Sequence, residues 1–269
     1  MRSKLTLRIC IYCIYFLMEE KLVFYVAHYR NNENVCILLN YCVKSIRQHY
    51  PEASIIICES PSNCEIKAYD ISGVLWIDNP IPNSACIGCF KDYLTRYINT
   101  NVKALFIHDS MVLKGRFEEK SLAMQFGFIW HFTSLHDPCY LLSHTLGKYL
   151  FGKLASADMN VDDYLGCFGP ALYGNYESIE TLWKEIPFEE FMITEERMHL
   201  ILDMERIIGA MAFRHGLVKI TENCSLCGDI FDFPGSFSNT FTNQTYEDIQ
   251  KFPYKNACVK FWVNRTSAL

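Results

Sequence analysis

Three polar residues, His108, Asp109 and Ser110, interrupt an apolar run that extends from Ala104 to Leu113. The pattern reads as a buried strand that delivers its polar residues at its carboxyl end. In open α/β sheets that end is where ligands bind. A carboxylate there can hold a metal ion, a ribose or a substrate hydroxyl. The plainer alternative is one solvated turn between two core strands. A second pair of acids, Asp203 and Glu205, lies in the stretch Thr194–Arg214, where Met204, Ile207, Ile208, Met211 and Ala212 form a helical stripe. The reading places both acids near the start of that helix, where the dipole favours negative charge. A carboxylate so placed can take a proton from a hydroxyl. The alternative is a surface Glu paired with Arg206 or Arg197.

Other candidates are less specific. Gly166–Gly174 is rich in glycine and aromatics but has neither the Walker nor the dinucleotide spacing. It reads as a close backbone approach to a ligand, or as a turn before a helix over 175–185. Asp229 and Asp232 read as solvated turn carboxylates. The aromatics Phe252, Tyr254, Phe261 and Trp262 read as a packing tail. Thirteen cysteines include three CxxC pairs, Cys10/Cys13, Cys86/Cys89 and Cys224/Cys227. Two such pairs can hold structural zinc. Residues three apart also share a helix face, where free Cys acts as a small core residue, and this is the preferred reading. Abundant unpaired Cys points to a reducing compartment. Asn223, Asn243 and Asn264 each begin a glycosylation sequon, which matters only on secretion.

The elements that must position these residues come in a regular series. Leu22–Ala27 is a short β-rich run, broken at His28-Tyr-Arg30. Val35, Leu38, Leu39, Cys42, Val43 and Ile46 then recur at helical spacing. Strands follow at 54–58, ended by Glu59, and at 73–77. Phe90, Tyr93, Leu94, Tyr97 and Ile98 mark a second helix, and the strand at 104–107 closes the series. The order β-α-β-β-α-β predicts an α/β fold with a mostly parallel sheet and helices on both faces.

A chain of 269 residues, half of them apolar, can bury a sizeable core in a single domain. The net charge of −5 argues against nucleic acid as a polyanionic partner. Ile9–Met18 is apolar behind Arg2, Lys4 and Arg8, but falls well short of the roughly 20 residues needed to span a bilayer. Residues 1–18 are read as a weakly membrane-associated segment or a dispensable extension, with Met18 as an alternative start, and the location as cytoplasmic.

The ordered series also resembles a known family. Val23-Phe-Tyr-Val-Ala-His-Tyr-Arg30, the helix ending Ser45-Ile-Arg-Gln-His-Tyr-Pro51, and Ile55-Ile-Ile-Cys-Glu-Ser60 look like the amino-terminal half of the GT-A glycosyltransferases. His108-Asp-Ser110 falls where that family has its DxD motif. Glu205 followed by Gly209 looks like its acidic segment. The resemblance covers roughly residues 20–120, and 160–235 more loosely. It implies a GT-A-like (Rossmann-like) single domain over 19–269, with a nucleotide-binding half at 19–120 and an acceptor-binding half at 121–269.

The implied activity is transfer of a sugar from a nucleotide-diphosphate sugar, UDP-sugar first, to a hydroxyl of a glycan or glycoprotein, with inversion. His28, Tyr29, Arg30 and Glu59 would contact base and ribose. His108, Asp109 and Ser110 would line the diphosphate, with Asp109 holding ribose or a divalent cation, Mn²⁺ or Mg²⁺. Glu205, with Asp203 as fallback, would be the general base. The chain departs from the family at the DxD position, where His108 and Ser110 replace the two acids. An enzyme without metal, its charge compensated by Arg or Lys, is the corresponding alternative. Two rival classes are a sugar-phosphate nucleotidyltransferase and a non-catalytic nucleotide-sugar or glycan-binding relative.

Overall fold

The computed structural model describes residues 22–29, 33–60, 71–80, 84–132, 152–153, 165–188, 197–219, 224–230, 240–252, 257–261 and 263. Residues 1–21 and Arg30 lie outside these, as do Asp232, Tyr254, Trp262, Asn223 and Asn264.

The first half follows the expected series. Strand β1 (Leu22–Tyr29) leads to helix α1 (Glu33–His49), then to β2 (Ser54–Ser60) and β3 (Leu75–Asp78). Helix α2 (Ala85–Arg96) leads to β4 (Lys103–His108) and β5 (Met111–Leu113). Among the described residues, one sheet has the order β3-β2-β1-β4-β9-β6, where β6 is Phe126–Phe128 and β9 is Leu172–Gly174. The pairs β1/β2, β1/β4 and β2/β3 are parallel, while β9 runs antiparallel to both β4 and β6. The fold is therefore α/β, with a central sheet that is mostly parallel.

β1 is buried along almost its whole length because both faces of the sheet are covered. Phe24 and Val26 pack with Leu39, Cys42, Val43 and Ile46 of α1. Val23, Tyr25 and Ala27 alternate to the other face. There they meet Cys86, Cys89, Phe90 and Tyr93 of α2, Ile179 and Leu182 of α4 (Tyr176–Glu185), and Ile207, Ile208 and Met211 of α5 (Arg197–Arg214). A continuous apolar run is what a doubly covered parallel strand requires. The cysteines of α2 fill core space, as the helix-face reading of Cys86/Cys89 has it, and no cysteine among the described residues is bonded to another.

Two short helices, α3 (Glu119–Leu122) and α6 (Tyr246–Gln250), and three further short strands complete the described elements. Strand β7 (His131–Phe132) pairs with β8 (Gly166–Cys167), and β10 (Cys258–Lys260) pairs antiparallel with β5. Of the carboxyl-terminal aromatics, the two that are described pack as read: Phe261 is buried with Val112, Phe241 and Tyr246, and Phe252 packs against the same cluster. Among the described residues no helix is long and apolar enough to cross a membrane.

Candidate functional site

The chain passes outward from β1 to β2 and β3, then returns through α2 to set β4 on the other side of β1. The carboxyl ends of β1 and β4 thus flank a topological switch point, the place at which open α/β sheets generally bind ligands. β1 ends in His28 and Tyr29, and β4 runs into His108, Asp109 and Ser110.

Asp109 is tied across this point. Its Oδ2 accepts from His28 Nδ1 at 2.9 Å and from the Tyr29 backbone N–H at 3.0 Å, and its own N–H donates to Ala27 O at 3.1 Å. Only 5% of Asp109 is exposed. Burial acts to lower the proton affinity of His28, but the hydrogen bonds to Asp109 and Cys36 outweigh it and raise the imidazole to about 9. The pair is an imidazolium–carboxylate ion pair at neutral pH. The reading of His108-Asp-Ser110 as a solvated turn therefore fails, since a solvated carboxylate would not be enclosed and doubly hydrogen-bonded.

His108 faces the glycine-rich stretch. Its Nε2 is hydrogen-bonded to the Gly169 carbonyl, which can only accept, so this nitrogen carries the proton. Cys86 Sγ lies 3.7 Å from the same nitrogen, and Tyr29 Oη lies 3.5 Å from Cys86 Sγ. With Nε2 protonated and committed, His108 cannot take the thiol proton through that atom, and burial holds the Cys86 thiol up at about 11. A Cys–His nucleophile is not formed here.

Gly169 has φ +66°, a conformation that glycine adopts without steric cost. Its carbonyl accepts from His108, and its N–H donates to Glu205 Oε1 at 2.8 Å. A single residue of the loop thus grips both candidate acid segments. Gly166–Gly174 is two short strands around this grip, rather than a plain turn before α4.

Glu205 needs correction in one respect. α5 begins at Arg197, so Glu205 sits in the body of the helix rather than near its start, and dipole stabilisation does not apply. What places it is Gly209, one turn on and on the same face. A Cβ at Gly209 would stand 1.9 Å from Leu165 O, so α5 lies directly against the backbone of the β8 segment. This close approach brings Glu205 to Gly169. Burial raises the Glu205 carboxyl to about 7, against the Gly169 N–H and the charges of Arg206 and Lys260, which act to lower it. The surface-Glu alternative fails, since Glu205 is buried. Asp203 lies on the same helix, two positions earlier.

Lys260 is the site residue that the sequence reading missed. It lies on β10 opposite Met111, and its ammonium donates to Ser110 Oγ at 3.2 Å. Burial lowers its proton affinity, while Asp109, Cys86, Glu205 and Cys258 act to raise it. The signal was present: Lys260 is the one charge in Ala257-Cys-Val-Lys-Phe261.

No protein-family model and no curated protein matches this chain.

The remaining expected site residues are spread along the sheet edge. Glu59, the next-to-last residue of β2, pairs with His28 of β1 and with Asp78 of β3. Next to it, Ser60 Oγ accepts from Ser84 N at 3.2 Å and Asn79 Nδ2 at 3.3 Å, which ties the start of α2 to β2. Asp229 is drawn to His131, with 3.9 Å between Oδ2 and Nε2, well along the chain from Asp109.

The donor set at Asp109 does not fit the expected divalent cation. A hard dication needs several free oxygen ligands. One Asp109 oxygen already serves two N–H donors, Ser110 Oγ receives an ammonium, and His108 Nε2 is protonated. Among the described residues no group of three or more His, Cys, Asp or Glu is arranged to hold a metal ion.

Proposed function

We propose that the chain is a glycosyltransferase of the GT-A type, moving a sugar from a nucleotide-diphosphate sugar to a hydroxyl of a glycan or glycoprotein. One observation carries this reading. Two buried carboxylate segments, about a hundred residues apart in the chain, meet at the switch point of a mostly parallel sheet through Gly169, which bonds both His108 and Glu205.

The two acids have different environments and so different capacities. Asp109 is held in an ion pair by His28, which suits a fixed anion that orients ligand hydroxyls. Glu205 is lifted to about 7, the range in which a carboxylate serves as a general base at neutral pH. In the reaction, Glu205 takes the acceptor hydroxyl proton as that oxygen bonds to the anomeric carbon. The bond from the anomeric carbon to the diphosphate oxygen breaks, and its electron pair leaves with the nucleoside diphosphate. His28, Tyr29 and Glu59, at adjacent strand ends, frame the place for base and ribose; Arg30 follows Tyr29 outside the described residues. On this reading UDP-sugars are the first donors to try, residues 19–120 form the nucleotide half and 121–269 the acceptor half.

A second reading is favoured by the enclosure of Asp109: a relative that binds nucleotide sugar without transferring it. Incubation with a panel of nucleotide sugars separates the two. The enzyme releases nucleoside diphosphate; the binder holds the donor intact. The nucleotidyltransferase reading has less support, because β1 runs into His28-Tyr29-Arg30 and not into a glycine-rich basic loop.

A further inference from the structure

We infer that His108 is a positioning residue for the base: it acts through Gly169 on Glu205, and not on the donor. The inference rests on the glycosyl-transfer reading for the role of Glu205, and deepens it.

The register of β4 separates the two polar groups at its end. Ala104 and Phe106 pack on the sheet face covered by α2 and α5, whereas Leu105 and Ile107 pack on the face covered by α1. Side chains alternate along a strand, so His108 continues the first face, toward α5. The partner of Asp109 belongs to the second. Phe24 and Val26 face α1, and His28 follows them two positions on, where its ring meets Trp76 edge-on. The Asp109–His28 pair and the His108–Gly169–Glu205 chain therefore lie on different sides of the sheet. Both ends of that chain, His108 and Glu205, are buried.

Gly169 is the joint. In the stretch Phe168-Gly-Pro-Ala171 the neighbouring amides are committed or absent. The Phe168 N–H donates to Trp130 O at 3.1 Å, Pro170 has none, and the Ala171 N–H turns back to Phe168 O at 3.3 Å. The Gly169 N–H is what this stretch offers Glu205 Oε1, at 2.8 Å. Its direction depends on a backbone at φ +66°, and glycine holds no φ by its own sterics. His108 Nε2 donates to the Gly169 carbonyl and so fixes the same residue from its other end. Cys86 Sγ, 3.7 Å from that nitrogen, backs the ring. Without the ring N–H, the buried carbonyl loses this donor and the glycine can turn, taking its own N–H from Glu205. The groups facing Glu205 are Arg206 on its own helix, Lys260 on β10 and the Cys167 thiol on β8. Burial strengthens the hold of Glu205 on its proton, while the Gly169 N–H, Arg206 and Lys260 weaken it. Loss of the N–H therefore shifts the carboxyl upward.

The test measures the Glu205 midpoint in the full chain by carbon-13 NMR of its carboxyl, assigned by its absence in Glu205→Gln. In His108→Phe, a ring without an N–H, the midpoint is expected to rise from about 7 by roughly one pH unit. In His108→Gln, whose amide nitrogen takes the place of Nε2, it stays at the wild-type value. Release of nucleoside diphosphate from nucleotide sugars should follow the midpoint. In His108→Phe it is about fivefold slower at pH 7 and recovers toward about pH 8.5, with nucleoside-diphosphate affinity unchanged. Should His108→Phe fail to fold, His108→Asn, whose amide is too short to reach Gly169, takes its place. An unmoved midpoint in that variant, or a diphosphate affinity that falls at every pH, overturns the positioning role and leaves the transfer reading standing. A wild type that releases diphosphate from no nucleotide sugar overturns the transfer reading instead, and the midpoints alone then decide whether His108 positions Glu205.

Discussion

Glu205 Oε1 accepts the backbone N–H of Gly169 at 2.8 Å, a bond between the middle of a helix and a loop 36 residues earlier in the chain. Gln at position 205 still offers an oxygen to that N–H, but cannot accept a proton. Glu205→Gln is therefore expected to keep the fold and nucleotide binding while cutting turnover by about 10²-fold or more. Steady-state kinetics beside nucleotide titrations check the pair of outcomes. Parallel loss of binding and turnover would make Glu205 a structural tie instead.

The pH dependence of the same residue has two opposite signs. A general base works ionised, so turnover should rise as pH passes through about 7. Stability runs the other way. The folded carboxyl binds its proton more tightly than the unfolded chain does, so its contribution is fully present below the ordinary value of 4.5 and is lost as pH rises through about 7. The gap corresponds to about 3 kcal/mol across that window. Thermal melts from pH 4.5 to 8 should show wild type losing stability relative to Glu205→Gln by that order, and a constant difference would refute the assigned shift.

Gly209 sets how closely α5 approaches the sheet. With Leu165 O only 1.9 Å from where a Cβ would stand, the obstacle is backbone and cannot swing aside. Gly209→Ala should push α5 outward, break the Glu205–Gly169 bond and cost roughly 1–3 kcal/mol through overpacking. Chemical denaturation and turnover should fall together. A variant with full activity would show that the helix position does not govern the base.

Asp109→Ala should unsettle the fold as well as the site, because His28 is left buried without its carboxylate. Breaking a buried pair in this way costs about 3–5 kcal/mol. In Asp109→Asn, burial should dominate and strip the proton from His28, whose imidazole stays charged to about 9 in the wild type. An NMR titration of the His28 ring reads this directly; an unchanged midpoint would mean that Asp109 does not hold the charge.

The sequence was legible where burial imposes a simple pattern. The run Val23–Ala27 could be read as a strand because both its faces are covered, and α1 because its sheet-facing residues Leu39, Cys42, Val43 and Ile46 recur at helical spacing. The strand end at Asp109 and the Glu205/Gly209 spacing were legible for the same reason: polar or small residues break an apolar pattern where something else must fit. β8 and β9 were not, since two- and three-residue strands are too short to show a period. The start of α5 lies further back than the stripe from Met204 suggests, although Leu200 and Ile201, four and three residues before Met204, continue that stripe toward Arg197. Lys260 bonds to a residue 150 positions earlier, and nothing local to Cys258-Val-Lys260 names that partner.

The most direct measurement is release of nucleoside diphosphate from a panel of nucleotide sugars, followed in EDTA for the wild type, Glu205→Gln and Asp109→Asn. The account predicts release from at least one donor by the wild type, faster with rising pH through about 7, and about hundredfold slower in Glu205→Gln. Absence of release from every donor, or equal release by wild type and Glu205→Gln, would contradict it.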